Sequence, residues 1–158
     1  MDKLIVKNLQ KSFYSKKEKK YNVVLADLSF SVHPGEFFVL MGESGAGKTT
    51  LLRTIAGLED VDFGDIYLNG RDALSSSSKE KDMSFVTQKY ALFPHKTVYE
   101  NIAMPLLING YPEEEIISSI QEIAKLVHIE SLLTRNPREL SGGQMQRVAI
   151  ARCLVRKP

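Results

Sequence analysis

The sequence holds one cysteine, Cys153, so it can form no internal disulfide, which fits a reducing compartment. It also lacks a long apolar run. The longest, Ile102 to Ile108, is interrupted by Pro105 and falls far short of a bilayer span. Its first residues, Met1-Asp2-Lys3, do not lead into the apolar core of a secretory signal. Work at a membrane would therefore have to go through a partner. Net charge is scarce as well: +2 over 158 residues is too mild for nucleic-acid binding by bulk electrostatics, and no nucleic-acid partner is expected. His33, His95 and His128 have no metal-ligand spacing, and no internal repeat is visible. The rest of the composition, 43% hydrophobic and 25% charged, is that of a globular protein, which makes disorder a poor reading. A chain of this length can bury about two-thirds of its unfolded surface in one domain.

Apolar periodicity divides the chain. LIVKNL (4–9) and VVLADLSFSV (23–32) read as strands, the second alternating at Leu28, Phe30 and Val32. Between them SKKEKKYN reads as a charged loop. Lys16 to Lys20 is then a solvated turn, with contact to acidic lipid headgroups as the sharper alternative. FFVLM (37–41) is wholly apolar, which suits a strand covered on both faces in a parallel sheet. A helix follows over TTLLRTIAGL with Gly57 as its stop. GDIYLNG reads as a strand ending in an Asn69-Gly70 turn. Ser75 to Ser78 with KEKD reads as a polar loop, and MSFVTQ (83–88) as another buried strand. From Thr97 the period becomes helical, over TVYENIAMPLL and over PEEEIISSIQEIAKLVHI, where Pro112 sits in the first turn and three glutamates complement the dipole. The expected architecture is an α/β core with a helical appendage at about residues 95–140.

GESGAGKT places Gly42, Gly47, Lys48 and Thr49 in the spacing G-x-x-x-x-G-K-S/T, after an expected buried strand and before a helix. Glycines let successive N–H groups curl inward into an anion nest, and the helix start adds partial positive charge. Lys48 brings a full charge to the outer phosphates and the Thr49 hydroxyl can hold Mg²⁺. Alone, the motif says that the chain binds a nucleoside triphosphate.

A second glycine site lies at Ser141-Gly142-Gly143-Gln144. Ser141 and Gln144 form a capping box, so a well-capped structural helix is the plain reading. Yet each helical glycine costs up to about 1 kcal/mol relative to alanine, and a structural start needs neither. Two missing side chains point to a group that approaches the backbone closely, and free N–H groups favour an anion.

With both motifs in view, the chain resembles the ATP-binding subunits of ABC transporters, through LSGGQMQRVAIAR and GESGAGKT, and the resemblance extends over the whole chain. It implies an α/β P-loop NTPase (RecA-like) core with an N-terminal antiparallel β subdomain and an α-helical subdomain. Residues 1–94 would hold the β subdomain and ATP-binding core, and 95–158 the helical subdomain with the signature helix. It further implies that Phe13 in Lys11-Ser12-Phe13 stacks on adenine (with Tyr14 as the rival) and that Gly42, Glu43, Ser44, Gly45, Ala46, Gly47, Lys48, Thr49 and Thr50 hold the chain's own ATP. Ser141, Gly142, Gly143 and Gln144 would contact the ATP of a second subunit in a head-to-tail dimer. Gln88 would touch Mg²⁺ or the attacking water, acting with Lys48 in catalysis and with Thr49 at the metal, and would couple to transmembrane permease subunits. His95 does not match the family's switch histidine, and Cys153 falls on the signature helix as a small packing residue.

In the family the signature helix leads into an apolar strand ending in Asp, then Glu. Here the residues end at Arg156-Lys157-Pro158, so the resemblance implies a domain truncated before the Walker B strand and inactive alone. Glu43 is a poor substitute for the missing base. The function implied is ATP-driven solute transport at the cytoplasmic side of the membrane. YALFPHKTVYENI favours import, of sugars before polyamines or inorganic ions. A soluble ABC ATPase acting on DNA or the ribosome is the alternative, though no sustained heptads separate the two motifs. A small-molecule kinase would leave LSGGQ unexplained.

Overall fold

Val6 and Leu9 are three residues apart, which an unbroken strand would turn to opposite faces. Both are nevertheless buried, because β1 (Leu4–Ser15) bulges between them, with Asn8 in the left-handed region at φ 47°. Across the sheet, β3 (Phe63–Leu68) meets this bulge with Gly64 at φ 96°. A Cβ there would stand 2.5 Å from the carbonyl oxygens of both Lys7 and Asn8. Only glycine lets the two backbones approach so closely.

The computed structural model describes residues 2–76 and 81–157, so Ser77, Ser78 and the first part of the KEKD run lie outside the described residues. The chain forms two units, Met1–Met83 and Ser84–Pro158. In the first, β1 pairs antiparallel with β2 (Lys20–Val32) and with β3, and β3 turns at Asn69-Gly70 into the short β4 (Arg71–Asp72), giving the order β2-β1-β3-β4. Asn69 (φ 53°) and Gly70 (φ 77°) both take the left-handed conformation a tight hairpin needs. The core joins Val6, Leu9, Leu25 and Ile66 of the sheet to Leu51 and Ile55 of α1 (Lys48–Ile55). Each fully buried aliphatic of this kind contributes about 1.5–3 kcal/mol. Gly57 ends α1 as expected, at φ 72°, with Leu58 N–H returning to the Arg53 carbonyl.

Three expectations about this unit and the segment after it are corrected. SKKEKKYN is loop only over its middle half, since β1 runs to Ser15 and β2 starts at Lys20, leaving a turn at 16–19. Cross-strand pairs such as Tyr14 with Tyr21 extend the ladder past the apolar stretch. FFVLM is not a strand: Phe37 is 93% and Met41 89% exposed, while Leu40 packs at the edge of the core and Phe38 stacks on Phe30. MSFVTQ forms no strand either. A strand exists only with a partner, and among the described residues none pairs with either run, so apolar character alone does not make a ladder. The described sheet is accordingly antiparallel throughout.

The second unit is helical. α2 (Val98–Ile108) begins at a capping box in which Glu100 N–H donates to the Thr97 hydroxyl and Thr97 N–H to the Glu100 carboxylate. That second bond, chiefly, holds the Glu100 carboxyl below its ordinary value. The cap's contribution is therefore complete at neutral pH and fades as pH falls through the lowered value. α3 (Glu113–Leu126) starts one residue after Pro112, which serves as its N-cap, and buries Ile116, Ile120, Ile123 and Ala124 along one face. After two short 3₁₀ turns, α4 (Gly142–Leu154) packs Val148 and Ala151 into the cluster formed by Val98, Ile102, Leu106 and Ile120. Arg147 of α4 donates to the carbonyls of Val127 and His128, closing the end of α3.

Candidate functional site

Residues 42–47 form an irregular loop leading into α1, and its shape follows from glycine. Gly45 (φ 87°) and Gly47 (φ 83°) lie in the left-handed region. A Cβ on Gly47 would meet the Val24 carbonyl oxygen at 2.9 Å, Val24 Cγ1 at 3.0 Å and Leu25 Cδ2 at 3.2 Å. Gly47→Ala is expected to destabilise the chain by about 2 kcal/mol, from backbone strain with overpacking, and to lower the urea midpoint without changing the slope. An unchanged midpoint would mean that the loop has another shape.

Lys48 Nζ donates to the carbonyls of Gly42 (2.7 Å) and Glu43 (2.6 Å), so the ammonium ties the two ends of the loop together. Thr49 and Thr50 follow in the first turn of α1. This helix start has no side-chain cap and no acidic residue in its first turn, so its N–H groups remain for another acceptor. Glu43, Ser44 and Ala46 are exposed around it.

Phe13 stands on β1, 39% exposed, with Lys11 Nζ 5.1 Å from its ring centroid. Lys11 is itself buried and paired with Asp62 (3.5 Å) and Glu59 (3.9 Å), as a buried ammonium must be. Asp62 also accepts the Ser12 N–H at 2.6 Å, fixing the backbone beside Phe13. Tyr14 turns instead to Tyr21, in an edge-on pair at 5.3 Å.

In the second unit, α4 opens with the expected capping box. Gln144 N–H donates to Ser141 Oγ at 3.3 Å, and Ser141 N–H to Gln144 Oε1 at 2.8 Å. The Ser141 hydroxyl thus accepts one bond and keeps its own proton to donate. The first intrahelical bond runs from Met145 N–H to the Ser141 carbonyl, which leaves the N–H groups of Gly142 and Gly143 ahead of it. Both glycines are exposed, and a Cβ on either would meet nothing within 4 Å. Among the described residues nothing requires glycine there. α4 shares with α1 the absence of any acidic residue in its first turn, whereas α2 carries Glu100 and α3 carries Glu113, Glu114 and Glu115. Among the four α-helices described, the two starts singled out by their glycines are those with no carboxylate in the first turn.

Gln88 is exposed in the irregular segment that precedes α2. Two residues that sequence reasoning passed over hold this segment. Asn101 of α2, fully buried, accepts the Phe93 N–H through Oδ1 (2.8 Å) and donates through Nδ2 to the carbonyls of Phe93, Lys96 and Thr97. Arg152 of α4 donates to the carbonyls of Ala91 (2.8 Å) and Tyr90 (3.0 Å). An Asn inside an apolar helical face was a usable signal for the first; nothing in the sequence pointed to the second. Cys153 is half-buried, its thiol pushed up by burial and directed at the Phe85 carbonyl, which suits a packing residue. Among the described residues no cluster of three or more His, Cys, Asp or Glu could hold a metal ion, and no helix is long and apolar enough to cross a membrane.

Residues 25–158 match the ABC transporter family. Among curated proteins, the trehalose/maltose import ATP-binding protein MalK of Thermococcus litoralis is 48% identical over 138 residues, covering 84% of this chain and 37% of the relative. The spermidine/putrescine import ATP-binding protein PotA of Aggregatibacter actinomycetemcomitans is 44% identical over 137 residues, covering 87% and 37%. The chain thus spans little more than a third of the length of these relatives. A dimeric ATP-binding cassette solved in a post-hydrolysis state with ADP and Pi superimposes with a TM-score of 0.88 at 30% identity, over 98% of this chain and 70% of that one.

Proposed function

The chain belongs to the ABC transporter family, and from that premise we propose that it is the ATP-binding, energy-coupling part of a membrane importer. The observation that carries the reading is the pair of glycine-bearing helix starts without acidic residues, one closed by Lys48 and one capped by Ser141. The first, Gly42 to Thr50, would hold the chain's own ATP, with Phe13 stacked on adenine. The second, Ser141 to Gln144, would donate to the ATP of another subunit in a head-to-tail dimer. The similarity to a dimeric cassette bound to ADP and Pi supports both assignments. Functionally the chain divides at about residue 94, with the β subdomain and ATP-binding core before it and the helical subdomain with the signature helix after it.

Mg²⁺ is a hard ion that favours oxygen donors, and the Thr49 hydroxyl and the Gln88 amide carbonyl are each a donor of that kind that would hold it. When bound, the ion would neutralise charge developing on the transferred phosphoryl group. Lys48 would do the same from the loop, and the Gln88 amide would orient the attacking water. Of the carboxylates in this chain only Glu43 lies in the loop, and it points to no water-activating role, so hydrolysis is proposed for the whole protein rather than for these residues alone.

Similarity to ATP-binding proteins named for import of trehalose/maltose and of spermidine/putrescine supports import over action on DNA or ribosomes. The protein would sit peripherally on the cytoplasmic side, held by permease subunits. The test is transport by the complete protein reconstituted with its permease in vesicles. ATP-dependent solute entry, with hydrolysis stimulated by solute, is expected. ATPase activity indifferent to both permease and solute would overturn the transport reading.

A further inference from the structure

The segment that carries Gln88 is fastened to α4 at two places, one on each side of the glutamine. Before it, Ser84 Oγ donates to the Cys153 carbonyl (2.9 Å) and the Cys153 thiol reaches the Phe85 carbonyl (3.6 Å). After it, the Arg152 guanidinium spans the successive carbonyls of Tyr90 and Ala91. The conformation held there is not one the backbone adopts unaided. Tyr90 (φ 61°) and Ala91 (φ 47°) both lie in the left-handed region, which non-glycine residues avoid. The Thr87 hydroxyl, next to Gln88, is buried and finds no hydrogen-bond partner among the described residues. Strain and an unmet polar group persist only where the surroundings enforce them, and such places gather at functional segments.

We infer that Arg152 is the positioning residue for Gln88, locking the glutamine's segment to α4 so that Gln88 and the Ser141-Gly142-Gly143 end of that helix move as one body. The inference rests on the role proposed above for Gln88. α4 is continuous from Gly142 to Leu154, so its glycine end and Arg152 are joined by a rod of roughly 16 Å with no break in it. A contact made at Gly143 by a second subunit's nucleotide is then felt at Gln88 without any change inside the helix. The plain alternative is that Arg152 is merely a cation complementing the C-terminal end of α4. The geometry favours the first: the guanidinium is turned away from the end of its own helix onto another segment, with one terminal nitrogen on each of two carbonyls.

The two roles separate on Arg152→Lys, which keeps the charge for the helix end but is shorter and offers one nitrogen in place of the two that hold Ala91 and Tyr90. In the complete protein assayed in its transport complex, Arg152→Lys and Arg152→Ala are both expected to lower kcat about tenfold, leaving KM for ATP within about twofold. Gln88→Ala should do the same, and the double variant Arg152→Ala with Gln88→Ala should be no slower than Gln88→Ala alone. Amide exchange at Tyr90 should quicken by at least about tenfold in Arg152→Lys, while α1 is unaffected. A wild-type kcat in Arg152→Lys would overturn the inference, as would losses that multiply in the double variant. Should Arg152→Ala fail to fold, Arg152→Lys still decides. If Gln88→Ala alone leaves kcat unchanged, the role of Gln88 falls and this inference with it, whereas a slow Gln88→Ala beside a normal Arg152→Lys sinks the inference only.

Discussion

Lys48→Ala is expected to weaken ATP binding about a hundredfold, or about 2.7 kcal/mol, with the fold intact. Two effects combine. The loop loses the one full positive charge among Gly42 to Thr50, and charge-assisted bonds to phosphate are about twice as strong as neutral ones. It also loses the tie from Lys48 back to the Gly42 and Glu43 carbonyls, so the loop must be ordered by the nucleotide itself. Lys48→Arg separates the two, since it restores the charge but carries a longer, planar head into a space set by two carbonyl contacts of 2.7 and 2.6 Å. An intermediate affinity is expected for it. Equilibrium binding of a fluorescent ATP analogue, displaced by ATP, gives both numbers. Unchanged affinity in Lys48→Ala would remove the phosphate-binding role from the loop.

The glycine loop and the helix it opens were readable in advance because the signal is local: the glycines, the lysine and the helix start are neighbours in sequence. The same holds for α2, α3 and α4, whose caps and apolar spacing lie within a few residues of each other. Strands were readable where a partner lay close by in sequence, as in β1 with β2, and β3 was readable up to its Asn69-Gly70 turn, although the two-residue β4 after it was not foreseen. FFVLM has the composition of a buried strand, but composition does not supply the ladder partner, and the segment lies with Phe37 and Met41 in solvent. Arg152 was missed for the related reason that its partners, Tyr90 and Ala91, are some sixty positions away. In a list of helix residues it reads as an ordinary C-terminal cation. The Gly142-Gly143 pair is the opposite case. The sequence raised the question of what comes close to it, and the structure sharpens the question, because none of the described residues lies there.

Gly143→Asp turns that open space into a test. Within the chain the substitution is harmless or better: the position is exposed, a Cβ meets nothing within 4 Å, and the residue is the second in its helix. Aspartate forms helix more readily than glycine, and a carboxylate in the first turn of α4, which now has none, gains from the dipole by about 0.3–1 kcal/mol. Thermal unfolding of Gly143→Asp should therefore be unchanged or slightly later, and its own ATP should bind as before through Lys48. Between subunits the effect reverses. The added carboxylate would face the triphosphate of the other subunit where backbone N–H groups should be, adding both bulk and like charge. ATP-driven dimerisation of the complete protein is expected to weaken by more than about a hundredfold, and ATPase activity with it. Gly143→Ala, which adds bulk without charge, should lose less. Sedimentation of the variants with ATP under non-hydrolysing conditions measures the dimer directly. A Gly143→Asp protein that still dimerises and hydrolyses normally would mean that the glycines serve no second nucleotide, and that Ser141 and Gln144 form a cap and nothing more.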